Sequence, residues 1–95
     1  MRFFELTNID GKTVNIPVDS LLRIATFYDE ENGKGVVQFF FRDGNQAKPF
    51  LVTINTKRET ETNVVLHIQN DISTQADDPI VIKPNMPNVT GIYFR

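Results

Sequence analysis

Residues 21–42 read LLRIATFYDEENGKGVVQFFFR: two runs of β-branched and aromatic side chains joined by a polar turn containing glycine. Such runs favour strands, and the Asn32-Gly33 pair between them is the preferred centre of a two-residue type I′ turn. That register opposes Tyr28 to Val37, Thr26 to Phe39 and Ile24 to Phe41 on one face. The other face then carries Phe27 opposite Gln38, Ala25 opposite Phe40, and Arg23 opposite Arg42.

The hairpin continues on its second strand. Residues 43–48 are rich in turn formers and lead into Pro49, which is tolerated at the first position of a strand. With Arg42 opposite Pro49, Phe41 meets Phe50, Phe39 meets Val52 and Val37 meets Ile54, giving a continuous apolar face. The reverse carries Phe40 beside Leu51, Gln38 beside Thr53, and Val36 beside Asn55.

Working outward toward the start, Phe4 and Leu6 share a face with Val14 and Ile16. Parity selects the loop between them: a three-residue turn, Ile9-Asp10-Gly11, opposes Leu6 to Val14 and Phe4 to Ile16, whereas a two-residue turn mixes the faces. Gly11 is therefore expected in the left-handed conformation of a bulged type I turn. Pro17, Asp19 and Ser20 separate this hairpin from the next.

Toward the end of the chain the period changes. Val64, Val65, Ile68 and Ile72 fall within about 100° on a helical wheel, and Thr56-Lys57-Arg58-Glu59 has the form of a capping box. The reading is a helix across 57–73, although Val64, Leu66 and Ile68 also alternate as a strand would. Asp77, Asp78 and Pro79 mark a loop, Ile80-Val81-Ile82 a short strand, residues 84–87 a turn, and 89–94 a closing strand. The expected fold is a single α+β domain over residues 1–95. It comprises a mainly antiparallel β meander of about four strands, one α-helix, and two short C-terminal strands.

Composition bounds the chemistry. Among 95 residues there is no cysteine, which excludes disulfides, zinc-thiolate sites and thiol nucleophiles. Ten basic against twelve acidic side chains leave a net charge of −2 and a pI near 5.2. That balance argues against a general binder of nucleic-acid backbone. No signal-peptide pattern and no apolar run of membrane-spanning length is present, so a cytoplasmic or intravirion location without membrane contact is expected. A core of this size is modest, and small domains often supplement it by self-association.

Catalytic constellations are scarce. His67 is the only histidine, so no histidine pair for metal binding or acid–base work exists in one chain. Ser20 and Ser73 sit in turn or helix-end contexts without a nucleophile-elbow sequence. Gly33 and Gly35 match neither a P-loop nor a dinucleotide fingerprint. Asp29, Glu30 and Glu31, like Asp77 and Asp78, lack the spacing of a calcium loop and read as solvated acidic turns. The Asn88-Val89-Thr90 sequon reads as an accident of composition. The expectation is a protein that is not an enzyme and uses no cofactor or metal.

The unusual feature is the reverse of the predicted sheet, where Phe27, Phe40, Leu51 and Val36 stand on the side expected to face water. Apolar side chains gathered there call for a cover: the C-terminal strands, a second copy, or a ligand. Arg23 opposite Arg42 adds a like-charge pair that needs an anion nearby, from Asp19, Asp43, a neighbour's glutamate or a phosphate. The face built from Arg23, Phe27, Gln38, Phe40, Arg42 and Leu51 is therefore the candidate site. The first expectation is a homo-oligomer, a dimer in the simplest case, associating through this face. The alternative is a single-stranded nucleic-acid-binding module using its arginines and phenylalanines, a partner that the net charge disfavours.

Overall fold

The computed structural model describes residues 2–42, 49–74 and 77–95. In chain order these form β1 (Phe3–Thr7), β2 (Thr13–Pro17), a 3-10 turn (Val18–Ser20), β3 (Leu21–Asp29), β4 (Lys34–Phe41), β5 (Leu51–Thr56), α1 (Glu61–Ser73), β6 (Ile80–Ile82) and β7 (Val89–Phe94). The class is the expected α+β, mainly antiparallel. Among the described residues five strands precede the helix, where about four were expected, and the strands divide between two sheets, ordered β2-β1-β6 and β3-β4-β5-β7. The β1–β6 pair is parallel, which nothing in the local sequence announces. The turn expected at residues 43–48 lies outside the described residues.

The first hairpin follows its parity argument. Phe4 pairs with Ile16 and Leu6 with Val14, and Gly11 takes φ 85° in the connecting turn. Asn8 organises that turn: its Oδ1 accepts from the Asp10 and Lys12 amides at 3.0 and 2.9 Å.

The second hairpin corrects the type I′ expectation. Asp29 pairs with Lys34, which closes a four-residue loop. Gly33 has φ 62° while Asn32 has no positive φ, and a type I′ turn requires both. The cause is local. Asp29 Oδ1 accepts from the Asn32 amide at 3.3 Å and Oδ2 from Asn32 Nδ2 at 2.8 Å, so side-chain bonds span the loop. The register moves by two residues, which preserves the faces but changes the partners. Ile24 now meets Phe39, Thr26 meets Val37, Phe27 meets Val36, and Arg23 meets Phe40 rather than Arg42. Between β4 and β5 the expected register holds, with Val37 opposite Ile54, Phe39 opposite Val52, and Phe40 opposite Leu51.

Val37, Phe39, Phe41, Val52, Ile54 and Ile92 form the buried face of the four-stranded sheet. Against it pack Phe4 and Leu6 of β1, Val14 and Ile16 of β2, Ile80 and Ile82 of β6, and Val64 and Ile68 of α1, all in one apolar cluster. Phe4 joins the two sheets, edge-on to Phe39 and Phe41 with ring centroids 5.8 and 5.7 Å away.

The helix exists on the predicted apolar stripe but starts later than the capping-box pattern implied. Thr56 is the buried last residue of β5, so it cannot cap. The chain first turns through residues 57–60, with Glu59 left-handed at φ 63° and Thr60 Oγ1 donating to the Lys57 carbonyl at 2.7 Å. The last turn of α1 has no basic residue of its own. Arg2 supplies the charge from the far end of the chain. Its Nη1 donates to the Asp71 carbonyl and, at 3.3 Å, to that of Thr74, while Nε reaches the Asp78 carbonyl at 2.8 Å. A cation placed there satisfies orphan carbonyls and opposes the helix dipole. Among the described residues, no helix is long and apolar enough to cross a membrane.

Gly35 has a steric role. A Cβ there would run into Glu61 Oε2 and Thr56 Oγ1, so the residue is small because the helix start lies directly against it. Two outcomes follow from this packing. Phe4→Ala should lower stability by about 3–5 kcal/mol, read from urea denaturation, because the ring has no neighbour able to refill its place. Gly35→Ala should cost about 1–3 kcal/mol, and adding Glu61→Ala in that background should recover part of the loss.

Candidate functional site

The same alternation that fills the core assigns the opposite side of the four-stranded sheet. Its registers generate three rows across the strands. Arg23, Phe40 and Leu51 lie in the first, Ala25, Gln38, Thr53 and Tyr93 in the second, and Phe27, Val36, Asn55 and Gly91 in the third. Arg95 extends the first row past β7, its amide donating to the Leu51 carbonyl at 2.9 Å. Asp29 and Lys34 close the hairpin end. The structure thus brings together Arg23, Phe27, Gln38, Phe40 and Leu51 as expected. Arg42 follows the end of β4 and turns toward the 3-10 segment, with Nη2 donating to the Asp19 carbonyl at 2.7 Å.

The apolar character of this face is smaller than the sequence implied. Leu51 and Val36 are only 9% and 4% exposed within the single chain, so they need no further cover. Phe40 is half-buried, while Phe27 and Tyr93 remain 48% and 44% exposed. The C-terminal strands do not fold over this surface. Instead β7 pairs with β5 and widens the sheet.

The like-charge puzzle disappears with the corrected register. The Arg23 guanidinium lies 4.2 Å from the centroid of the Phe40 ring, a cation–π stack in place of an arginine pair. Its outer surface stays open, since Arg23 is exposed. Elsewhere on the sheet, Lys34, Thr53, Asn55, Tyr93, Phe94 and Arg95 line a shallow groove of about 270 Å³. Lys34, Tyr93 and Arg95 were not among the predicted site residues. The period-2 alternation of residues 89–95 carries a signal for the last two, but only the pairing of β7 with β5 tells which face they join.

The electrostatics are one-sided. Among the described residues, the strand registers place Arg23, Lys34 and Arg95 on this face with a single carboxylate, Asp29, on a chain whose net charge is −2. Asp29 is held below its ordinary value of 3.8, chiefly by the Asn32 side-chain hydrogen bond, with Lys34 adding a smaller attraction. It is thus ionised and engaged in its own turn.

Elsewhere the chemistry is sparse. His67 is exposed on α1, with Nε2 3.8 Å from Asp71 Oδ2 across one helical turn. Ser73 Oγ donates to the Asn70 carbonyl at 2.9 Å, an ordinary helix-end bond. Asn88 sits in a turn at φ 69° and its carbonyl accepts from the Lys57 amide. Among the described residues, no three histidine or acidic side chains gather as metal ligands. A second concavity, of about 360 Å³, lies on the outer side of the small sheet between Phe3, Glu5, Asn15 and Pro79. Compared with known proteins, the chain matches no family model, no curated protein and no solved structure.

The loop geometry is open to direct test. Removing the largest cause in Asn32→Ala should return the Asp29 pKa toward 3.8, as followed by carboxyl-carbon NMR titration. Because the folded value is the lower one, whatever stability the pairing contributes is present above the unfolded pKa. It is lost as pH falls through the folded value.

Proposed function

We propose that the protein is a non-enzymatic binding module whose four-stranded sheet receives single-stranded nucleic acid on its outer face. The observation that carries this reading is the co-location of Arg23, Lys34 and Arg95 with the exposed rings of Phe27 and Tyr93. Cations beside flat aromatic surfaces are what a strand of bases and phosphates requires, because rings stack on bases while Arg and Lys contact the backbone. Phe27 and Tyr93 lie on the two edge strands, about 14 Å apart at ordinary strand spacing, a span of two or three nucleotides. Gln38, Thr53 and Asn55 between them offer donors and acceptors to base edges.

Self-association through the same face, the first expectation from sequence, meets an electrostatic objection. An isologous contact sets each patch against its own copy, so a surface with three cations and one carboxylate would face like charge. The burial of Leu51 and Val36 within one chain also removes much of the apolar area that would have driven it. An anionic partner fits the charge. The acidic remainder of the surface opposes its approach and makes the affinity modest and strongly dependent on salt.

Fluorescence anisotropy with a labelled single-stranded oligonucleotide at low salt should show binding that weakens as salt rises. The expected logarithmic slope is about −2 for three phosphate contacts. Phe27→Ala and Tyr93→Ala should each cost about 1–3 kcal/mol of binding. No anisotropy change at low salt removes the reading. A light-scattering mass of two chains that falls to one in Phe40→Glu would instead favour pairing through the face.

A further inference from the structure

The strand β3 is an edge of the larger sheet, nine residues long, and none of its residues is buried. The fold deals with its other edges. The Ile9 amide donates to the Ile92 carbonyl on the opposite edge strand, β2 ends in Pro17, and β6 is only three residues long. Along β3, by contrast, no backbone hydrogen bond from outside the sheet reaches residues 22–29 among the described residues. The strand contains neither proline nor lysine, the usual guards of an open edge, and its one bulge sits near its start, at Leu22. Three of the exposed large hydrophobic side chains, Leu22, Phe27 and Tyr28, belong to it.

We infer that β3 pairs antiparallel with β3 of a second copy about a two-fold axis at Thr26, joining two four-stranded sheets into one of eight strands. This goes beyond the nucleic-acid reading and does not depend on it. The register is selected by three constraints. Opposed residues must share a face, which excludes an axis lying between residues. Unlike charges must meet: about Thr26, Arg23 stands opposite Asp29 of the copy, and the two-fold repeats the pair. Large side chains must find room, and the same axis sets Phe27 against Ala25 and Ile24 against Tyr28. An axis at Ala25 would oppose Asp29 to Leu21, and one at Phe27 would oppose it to Ala25, each leaving the carboxylate without an opposite charge from the copy. A self-complementary strand of this kind is the isologous contact that the cationic sheet face cannot make.

Sedimentation from about 1 μM to 1 mM chain should show a reversible monomer–dimer equilibrium, since edge pairing alone lies at the small end of interface size. Arg23→Asp should weaken the dimer about tenfold, because two symmetric attractions become repulsions. The charge swap Arg23→Asp with Asp29→Arg should restore it, with far-UV circular dichroism reporting the fold of each variant. In a chain without cysteine, Thr26→Cys places the two thiols across the axis within reach of one disulfide, so mild oxidation should yield a covalent dimer. A chain that stays monomeric throughout this range overturns the proposal. So does dimerisation indifferent to Arg23→Asp, or cross-linking of Thr53→Cys at the centre of the face where Thr26→Cys gives none. Neither readout involves an oligonucleotide, so the failure of one reading leaves the other standing on its own test.

Discussion

The structure depends on one packing contact, a triangle of rings in which Phe4 stands edge-on to Phe39 and Phe41. The three rings come from two sheets with no strand in common, and their edge-to-face geometry adds to the area they bury. β1 can deliver Phe4 there because it is the central strand of the small sheet, flanked by β2 and β6. Its own anchoring reaches across the molecule, since the neighbouring Arg2 binds carbonyls at the end of α1 and in the segment before β6. The first residues of the chain thus tie together both sheets, the helix and the approach to the C-terminal strands.

This arrangement places the small sheet and the helix on the same side of the larger sheet, and the asymmetry creates the candidate surface. Ile80, Ile82, Val64 and Ile68 all join the cluster that covers the inner face. The outer face keeps two exposed rings, a guanidinium stacked on a third ring, and two further cations, Lys34 and Arg95, that line one groove. Its polar centre of Gln38, Thr53 and Asn55 is unlike the apolar layer on the other side. The sheet has one side built for a core and another whose described side chains are largely polar and cationic.

Much of this was legible in residues with a strict period. Phe4, Leu6, Val14 and Ile16 determined the first hairpin because a three-residue loop keeps all four on a common face where a two-residue loop does not. Setting Arg42 opposite Pro49 likewise gave the β4–β5 register, with Phe39 facing Val52 and Val37 facing Ile54. Asn32-Gly33 misled because its turn preference is a local statistic, and the Asp29 carboxylate bonded Asn32 into a longer loop. Thr56 misled because a capping pattern cannot tell that its threonine is the buried end of a strand. Parity placed Arg23, Phe27, Gln38, Phe40 and Leu51 on a common face, yet the apolar content of that face was overestimated. Alternation reports which side a residue occupies, not how far its neighbours shade it.

By itself the sequence determined the class of fold, the strand faces and the helix stripe, because periods of 2 and 3.6 residues are properties of adjacent positions. Only the tertiary structure decided that β6 runs parallel beside β1, that β7 closes the larger sheet against β5, and that Arg2 serves a helix end about seventy residues away. It also decided that Arg23 stacks on Phe40 rather than facing Arg42. These are choices among distant segments, made by the closing of a shared core, and no window of local sequence contains the energy that selects them.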